Sequence, residues 1–256
     1  MLIEERRRRI VEWVESNGSV SVDTLSRQLA VSTMTIWRDL KALESQGLIR
    51  RVRGGAVKGR SHVATEPQFE IKQHVYSQEK TRIASYAATR LVKDNDILIL
   101  EGGTTVAGMV PYLTQSNLTI LTNGLNTIVR AAARVPHLTV MCCGGILRDV
   151  SLTFVGPQAE AFFAGFRAHK LFLSATGLTL ADGLTDPNPL EIQVKRAMSA
   201  SAEQIILLLD SSKFGVRSLS QIIPLQDVDI LVTDVGAPPD ILNALREMGI
   251  EIHIAA

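Results

Sequence analysis

Ser32-Thr33-Met34-Thr35-Ile36-Trp37-Arg38-Asp39-Leu40-Lys41-Ala42-Leu43 sets apolar residues at regular intervals among hydroxyls and cations. Ile36, Leu40 and Leu43 recur at helical spacing with Met34 at the edge of the stripe, and Ser32 stands where a hydroxyl caps a helix N-terminus. Burying that stripe leaves Thr33, Thr35, Trp37, Arg38 and Lys41 for the flank and the outer face. One side of the helix is therefore fit for a core and the other for a polar partner.

Two further helices precede it. Residues 4–15 set Ile10, Trp13 and Val14 among charged neighbours and stop at Asn17-Gly18, while Ser21 caps a short helix that buries Leu25 and Leu29. Ala30-Val31 then turns tightly into the third helix, which runs to about Gln46 and ends at Gly47. The next stretch, Leu48-Ile49-Arg50-Arg51-Val52-Arg53-Gly54-Gly55-Ala56-Val57, alternates apolar and basic residues and turns on two glycines, the pattern of a β-hairpin. Three helices and a basic hairpin predict a winged helix-turn-helix over residues 1–58, with the third helix in the major groove of double-stranded operator DNA. Ser32, Thr33, Thr35, Trp37, Arg38 and Lys41 then meet bases and phosphates, and Arg50, Arg51 and Arg53 grip the sugar-phosphate backbone. A three-helix protein-binding module is the alternative, and the basic hairpin argues against it.

Charge is divided in the same way. The whole chain of 256 residues carries a formal net charge of only +1, but residues 1–60 hold twelve Lys and Arg against seven Asp and Glu. The remainder is mildly acidic, so a basic module that meets a polyanion is joined to a domain with another partner. Cys142 and Cys143 are adjacent, and His62, His74, His137, His169 and His253 are scattered, so neither a redox pair nor a metal site is expected. The two cysteines read as small buried residues in a reducing compartment. Glu12 and Glu15 interrupt the apolar stretch a signal peptide needs, and runs such as 205–209 are far too short to span a bilayer. A cytoplasmic protein without a membrane partner, cofactor or catalytic residue is the expectation.

Residues 59–76, interrupted by Pro67, read as an irregular linker, and residues 77–256 as a larger, mainly parallel α/β domain. A helix around residues 83–92 leads into the apolar run Ile97-Leu98-Ile99-Leu100. Further strands are expected at 118–121, 138–141, 171–174, 205–209, 230–233 and 250–254, with helices between most of them. In such a sheet the loops after the strands carry the chemistry. They supply Glu101, Gly103, Thr104 and Thr105, then Thr122 and Asn123, then Gly144, Gly145 and Arg148, then Gly177, and finally Asp210 and Lys213. Carboxylates accept hydrogen bonds from sugar hydroxyls, and glycine amides, Arg148 and Lys213 balance phosphate charge, so a polyol phosphate suits these loops. Lys195 lies four residues after Glu191 on a helix, which fits either a surface ion pair or a place in that site.

Several of these motifs together resemble the DeoR family of bacterial regulators. Val20-Ser21-Val22, Ser32-x-x-Thr35-Ile36-Trp37-Arg38-Asp39-Leu40, Gly47 and Arg53-Gly54-Gly55-Ala56 resemble its DNA-binding module. Glu101-Gly-Gly-Thr-Thr, Thr122-Asn123, Gly144-Gly145, Val194-Lys195-Arg196 and Asp210-Ser-Ser-Lys213-Phe-Gly resemble its sensor domain. The resemblance implies a fold similar to phosphosugar isomerases, binding of a phosphorylated sugar or related metabolite, and a homodimer or homotetramer. It also implies a repressor of a carbohydrate-metabolism operon, released from its operator by that effector. Trp37 stands where the family has an arginine or histidine, and Glu101 where it has aspartate. An indole packs on a thymine methyl, a sugar, the hairpin or a partner subunit, but makes no bidentate contact to guanine. The competing reading is a sugar-phosphate isomerase with an appended DNA-binding module.

Overall fold

A computed structural model describes residues 3–45, 48–58, 66–133 and 138–256, and the chain divides after Tyr76 into two compact units.

The amino-terminal unit runs α1 (Ile3–Asn17), β1 (Ser19–Ser21), α2 (Val22–Leu29), α3 (Thr33–Ser45), β2 (Ile49–Val52), β3 (Gly55–Lys58) and α4 (Phe69–His74). Its corners follow from a few local bonds. Ser21 Oγ accepts from the Thr24 amide at 3.0 Å and caps α2. Ala30 closes that helix in the left-handed conformation at φ 53°, with its N–H on the Ser26 carbonyl. Ser32 Oγ accepts from the Thr35 amide at 3.2 Å and opens α3. Ile10, Val14, Leu25, Leu29, Ile36, Leu40, Leu43 and Ile49 form the core. The hairpin gains a third strand, because β1 pairs antiparallel with β3 from Ser19 opposite Val57, giving the order β1-β3-β2.

Two expectations change here. Met34 is no part of the buried stripe and stands 68% exposed on the outer face of α3. The connector contains a helical turn, α4, with Phe69 buried and Val75 packed against the core of the unit. The helix stop at Gln46-Gly47 and linker residues 59–65 lie outside the described residues.

In the carboxy-terminal unit, α5 (Ser77–Arg90) leads into β4 (Ile97–Leu100), α6 (Thr104–Ala107), β5 (Leu118–Thr122), α7 (Leu125–Ala132) and β6 (Leu138–Cys142). A hairpin of β7 (Ile146–Arg148) and β8 (Thr153–Val155) follows, then α8 (Pro157–Ala164) and β9 (Ala168–Leu173). The chain continues through β10 (Gly177–Thr179), β11 (Gly183–Asp186), α9 (Pro189–Ala200), β12 (Ala202–Leu208) and β13 (Ser220–Gln221). It closes with β14 (Ile230–Asp234), α10 (Pro239–Glu247) and β15 (Glu251–Ala255). The seven strands expected from the apolar runs are the seven strands of one sheet, in the order β15-β14-β12-β9-β4-β5-β6. Every neighbouring pair in it is parallel.

Period-two alternation divides the side chains of that sheet between two cores. Ile99, Leu121, Leu171, Leu173, Leu207 and Leu231 face α8, α9 and α10, whose contributions include Phe163, Val194 and Leu245. Leu98, Leu100, Ile120, Phe172, Leu208 and Val232 face α5, α6 and α7. Full burial of one such side chain contributes roughly 1.5–3 kcal/mol, so this central sheet is the rigid base on which the strand exits sit. The chain builds outward from β4 through β5 to β6, then returns to the other side of β4 to lay down β9, β12, β14 and β15. The order therefore reverses between β4 and β9, and the crevice at their carboxyl ends is where open α/β sheets take ligands.

Candidate functional site

In the amino-terminal unit, a clamp sets the angle of α3. Asp39, 1% exposed, accepts from Arg6 Nε at 2.6 Å and from Arg7 Nε at 3.1 Å, tying α3 to α1. These two arginines belong to the basic excess read from the sequence, yet they point at a carboxylate inside the unit. The face opposite Ile36, Leu40 and Leu43 carries Met34, Arg38 and Lys41, at i, i+4 and i+7, all exposed. Thr33 is exposed beside them, and Trp37 is half-buried against the core from the flank of the helix. Ser32 and Thr35 bond to each other through their hydroxyls at 2.9 Å as part of the cap, so neither hydroxyl is idle.

The wing arginines differ in their surroundings. Arg51 is bound to Glu44 of α3, with its amide at 2.8 Å from Oε1 and its Nε at 2.5 Å from Oε2. Those bonds from Arg51 hold the Glu44 carboxyl below its ordinary pKa. Arg50 and Arg53 are exposed and make no ion pair among the described residues. Gly54 turns the wing at φ 87°, a conformation open to glycine at little cost.

In the carboxy-terminal unit, the chemistry gathers at the β4/β9 crevice. Glu101 leaves β4 only 4% exposed, and its Oε2 accepts from Ser174 Oγ, just past β9, at 2.7 Å. Lys195 comes from α9, also 4% exposed, and places Nζ 2.6 Å from Asp186 Oδ2, 2.8 Å from the Ser174 carbonyl and 3.3 Å from Glu101 Oε1. Burial works against the lysine's charge, but Asp186, Glu101 and Glu191 outweigh it and raise the pKa above the ordinary lysine value. Glu191 is buried as well. Its Oε1 is 2.6 Å from Arg148 Nη1 and accepts from Thr153 Oγ1 at 2.7 Å, while Ser151 Oγ lies 2.8 Å from that same Thr153 oxygen. Burial opposes the charge of Glu191, and Lys195, the two hydroxyls and Arg148 reverse the effect and lower its pKa. The surface ion-pair alternative for Lys195 is thereby overturned: both residues lie inside, and Lys195 bonds to Asp186 instead.

Glycines let the loops close over this cluster. A Cβ on Gly102 would stand 2.3 Å from Thr153 Cγ2, and one on Gly103 would stand 2.0 Å from Ser174 Oγ. Asn123 Oδ1 accepts from the Gly102 amide at 3.0 Å, and Thr122 Oγ1 bonds the Leu100 carbonyl at 2.6 Å. The exits of β4 and β5 are thus locked together, with Thr105 buried and Thr104 half-buried at the start of α6. Thr127 is fully buried on α7, its Oγ1 has no hydrogen-bond partner among the described residues, and a Cβ on Gly124 would stand 3.0 Å from that oxygen.

Other expected site residues sit further from this centre. Gly144 and Gly145 follow β6 at φ 61° and 108°. Gly177 lies in β10, where a Cβ would stand 2.2 Å from the Val216 carbonyl oxygen, so its lack of a side chain serves packing. Asp210 follows β12, two strands from β4 and hence about 10 Å away by strand spacing. Its Oδ1 accepts from the Ser212 amide at 3.1 Å and from the Ser212 hydroxyl, so it caps a 3-10 turn. Lys213 ends that turn, half-exposed and without an ion pair among the described residues.

Asp186, Ser174, Glu191, Ser151 and Thr153 were not anticipated as site residues. The one signal in the sequence was the Glu191/Lys195 spacing, which is equally that of a surface pair. Cys142 is exposed, contrary to expectation, and Cys143 is half-buried with its thiol pKa pushed up to about 12 by burial and by the neighbouring Cys142. His169 Nδ1 accepts from the Ile97 amide and His253 Nδ1 bonds Tyr86 Oη, while His62 and His137 lie outside the described residues. Among the described residues, no three His, Cys, Asp or Glu side chains are placed to hold a metal ion, and no helix is long and apolar enough to cross a membrane.

A capped helix with cations on its outer face, a basic wing, and a separate α/β unit with a polar crevice define a DNA-binding regulator with a sensor domain. The family model described as the DeoR-like helix-turn-helix domain matches residues 6–61, and the one described as the DeoR C terminal sensor domain matches residues 75–235. The chain belongs to the DeoR family of transcriptional regulators. It is 36% identical to the uncharacterized HTH-type transcriptional regulator YulB of Bacillus subtilis, over 98% of this chain and 96% of that one. It is 35% identical to a putative aga operon transcriptional repressor of Escherichia coli O157:H7, over 97% and 92% respectively. A solved ribose 5-phosphate isomerase from Plasmodium falciparum is similar over 54% of this chain and 52% of that one, with 14% identity and a TM-score of 0.39. Its family and its relatives make this protein a regulator and not an enzyme, which sets the isomerase reading aside.

Proposed function

We propose that the protein represses a carbohydrate-metabolism operon in the cytoplasm, holding operator DNA as a homodimer or homotetramer until a phosphorylated sugar occupies the crevice between β4 and β9. The observation that carries this reading is the buried Glu101–Ser174–Lys195–Asp186 cluster at the point where strand order reverses. Three carboxylates and two cations with hydroxyls between them form a preorganised acceptor-rich floor, the chemistry that sugar hydroxyls require. Glu101, Lys195 and Asn123 form the centre of the effector site in this reading, with Gly103, Thr104, Thr105, Thr122 and Arg148 around them. Gly144 and Gly145 lie beyond β5 on one side, and Asp210 and Lys213 beyond β9 on the other. A sugar phosphate of five or six carbons reaches one of those outlying loops, not both.

On the DNA side, Thr33, Arg38, Lys41, Arg50 and Arg53 carry the contacts, supported by the exposure of all five and by the charge of the arginines and the lysine. Ser32 and Thr35 act through the cap, Trp37 through packing, and Arg51 through Glu44. The effector must favour one of two conformations, since equal affinity for both shifts nothing. A coupling of about 1–3 kcal/mol lowers operator affinity by roughly 5- to 150-fold.

The test is fluorescence anisotropy on a duplex that the purified protein enriches from random-sequence DNA, titrated with pentose and hexose phosphates. Release by one of them, abolished in Glu101→Gln with duplex affinity retained, is the expected result. If no phosphorylated sugar changes binding, the effector reading fails while DNA binding stands.

A further inference from the structure

We propose that Met34 reads the C5-methyl group of a thymine in each operator half-site. The assignment rests on α3 being the helix that enters the major groove, where the N-terminal residues of such a helix meet base edges. In the first turn of α3 the Ser32 and Thr35 hydroxyls are bonded to each other, so the side chains that point outward there are those of Thr33 and Met34. Met34 is 68% exposed and shares its face with Arg38 and Lys41, one and two turns further on. Cations at those positions suit a polyanion and oppose the docking of an apolar protein surface, so the partner that covers this face also covers the thioether.

A methionine side chain offers no hydrogen-bond donor and only a weak acceptor. Among the base edges in the major groove, the group that matches it is the thymine methyl, the apolar mark that distinguishes A·T and T·A from the G·C pairs. Trp37 does not compete for this role, because its indole is half-buried against the core on the flank of the helix. Arg38 and Lys41 supply affinity, and Met34 adds selectivity without charge.

The experiment uses the full chain and the duplex it enriches from random-sequence DNA. Each thymine is replaced in turn by deoxyuridine, which removes the methyl and leaves every hydrogen-bonding group in place. Wild type is expected to lose about fourfold in affinity at one thymine per half-site, the effect of withdrawing one buried methyl. Met34→Ala should bind the thymine and deoxyuridine duplexes equally, and Met34→Leu should restore the preference. The slope of affinity against salt should be unchanged in both variants, since no phosphate contact is lost. Wild type indifferent to deoxyuridine at every thymine, or Met34→Ala that keeps the discrimination, overturns the assignment. If Arg38→Ala and Lys41→Ala leave both affinity and salt slope unchanged, α3 is not on the DNA and the underlying reading falls with it.

Discussion

Glu191 shows how a single carboxylate ties the crevice to stability. Burial alone would push its pKa up, but Lys195, the Ser151 and Thr153 hydroxyls and Arg148 hold it below the ordinary 4.5. A carboxylate whose folded pKa is depressed contributes stability that is fully present above its unfolded pKa and is lost as pH falls through the folded one. Urea unfolding of wild type should therefore show the carboxy-terminal unit weakening as pH drops below about 4.5. Glu191→Gln removes the charge opposite Arg148 and should cost stability at pH 7, on the order of 3 kcal/mol for a broken buried pair. The gap between variant and wild type should close in acid, where protonated Glu191 resembles glutamine. A gap that stays constant from pH 7 to pH 3 would mean that shape, not charge, is what the residue contributes.

At the scale of elements, the wing and α1 make separable predictions. Arg50→Ala and Arg53→Ala should each reduce the slope of log affinity against log salt by about one, for one lost phosphate contact. Arg51→Ala should reduce it less, because its Nε is already given to Glu44. Equal reductions from all three would show that the Glu44 pair opens on DNA. Asp39→Ala leaves Arg6 and Arg7 without their carboxylate and should destabilise the amino-terminal unit by about 3–5 kcal/mol. Hydrogen exchange should then lose protection in α1 and α3 while the seven-stranded sheet keeps it. The same contrast between self-sufficient and borrowed structure decides what could be read in advance. Runs such as Ile97-Leu98-Ile99-Leu100 announce themselves because a strand buried on both faces is apolar throughout. The short strands β1, β7, β8, β10, β11 and β13 have no such pattern, being two to four residues held by their partners. Asp186 ends one of them, so the carboxylate that binds Lys195 was invisible in sequence, whereas Glu101, at the end of a strong strand, was not. Met34 was misplaced for a related reason, since a side chain one turn before Arg38 at the edge of a stripe is assigned by rotation of the helix, which composition does not determine.

For the whole molecule, the proposed release mechanism is a linkage between two units, and linkage is reciprocal. If a phosphorylated sugar lowers duplex affinity by a given factor, the duplex must lower sugar affinity by that same factor, whatever route the coupling takes through the chain. Calorimetric titration of the sugar into free protein, and into protein saturated with the enriched duplex, measures one ratio. Anisotropy titration of the duplex with and without saturating sugar measures the other. The two should agree, with a factor within roughly 5–150 for a coupling of ordinary strength. Repeating both at several protein concentrations separates two ways of losing the operator. A change of conformation within an intact oligomer gives ratios independent of protein concentration, whereas release by dissociation into monomers makes both ratios grow as the protein is diluted. Glu101→Gln, which replaces a carboxylate in the crevice with a neutral amide of nearly the same shape, should bring both ratios toward one together. Reciprocity forbids one ratio from collapsing without the other at equilibrium, so the outcome that counts against the crevice is that both stay at their wild-type values. Unchanged ratios in Glu101→Gln would place the responding ligand at a second site and remove the β4/β9 crevice from the mechanism.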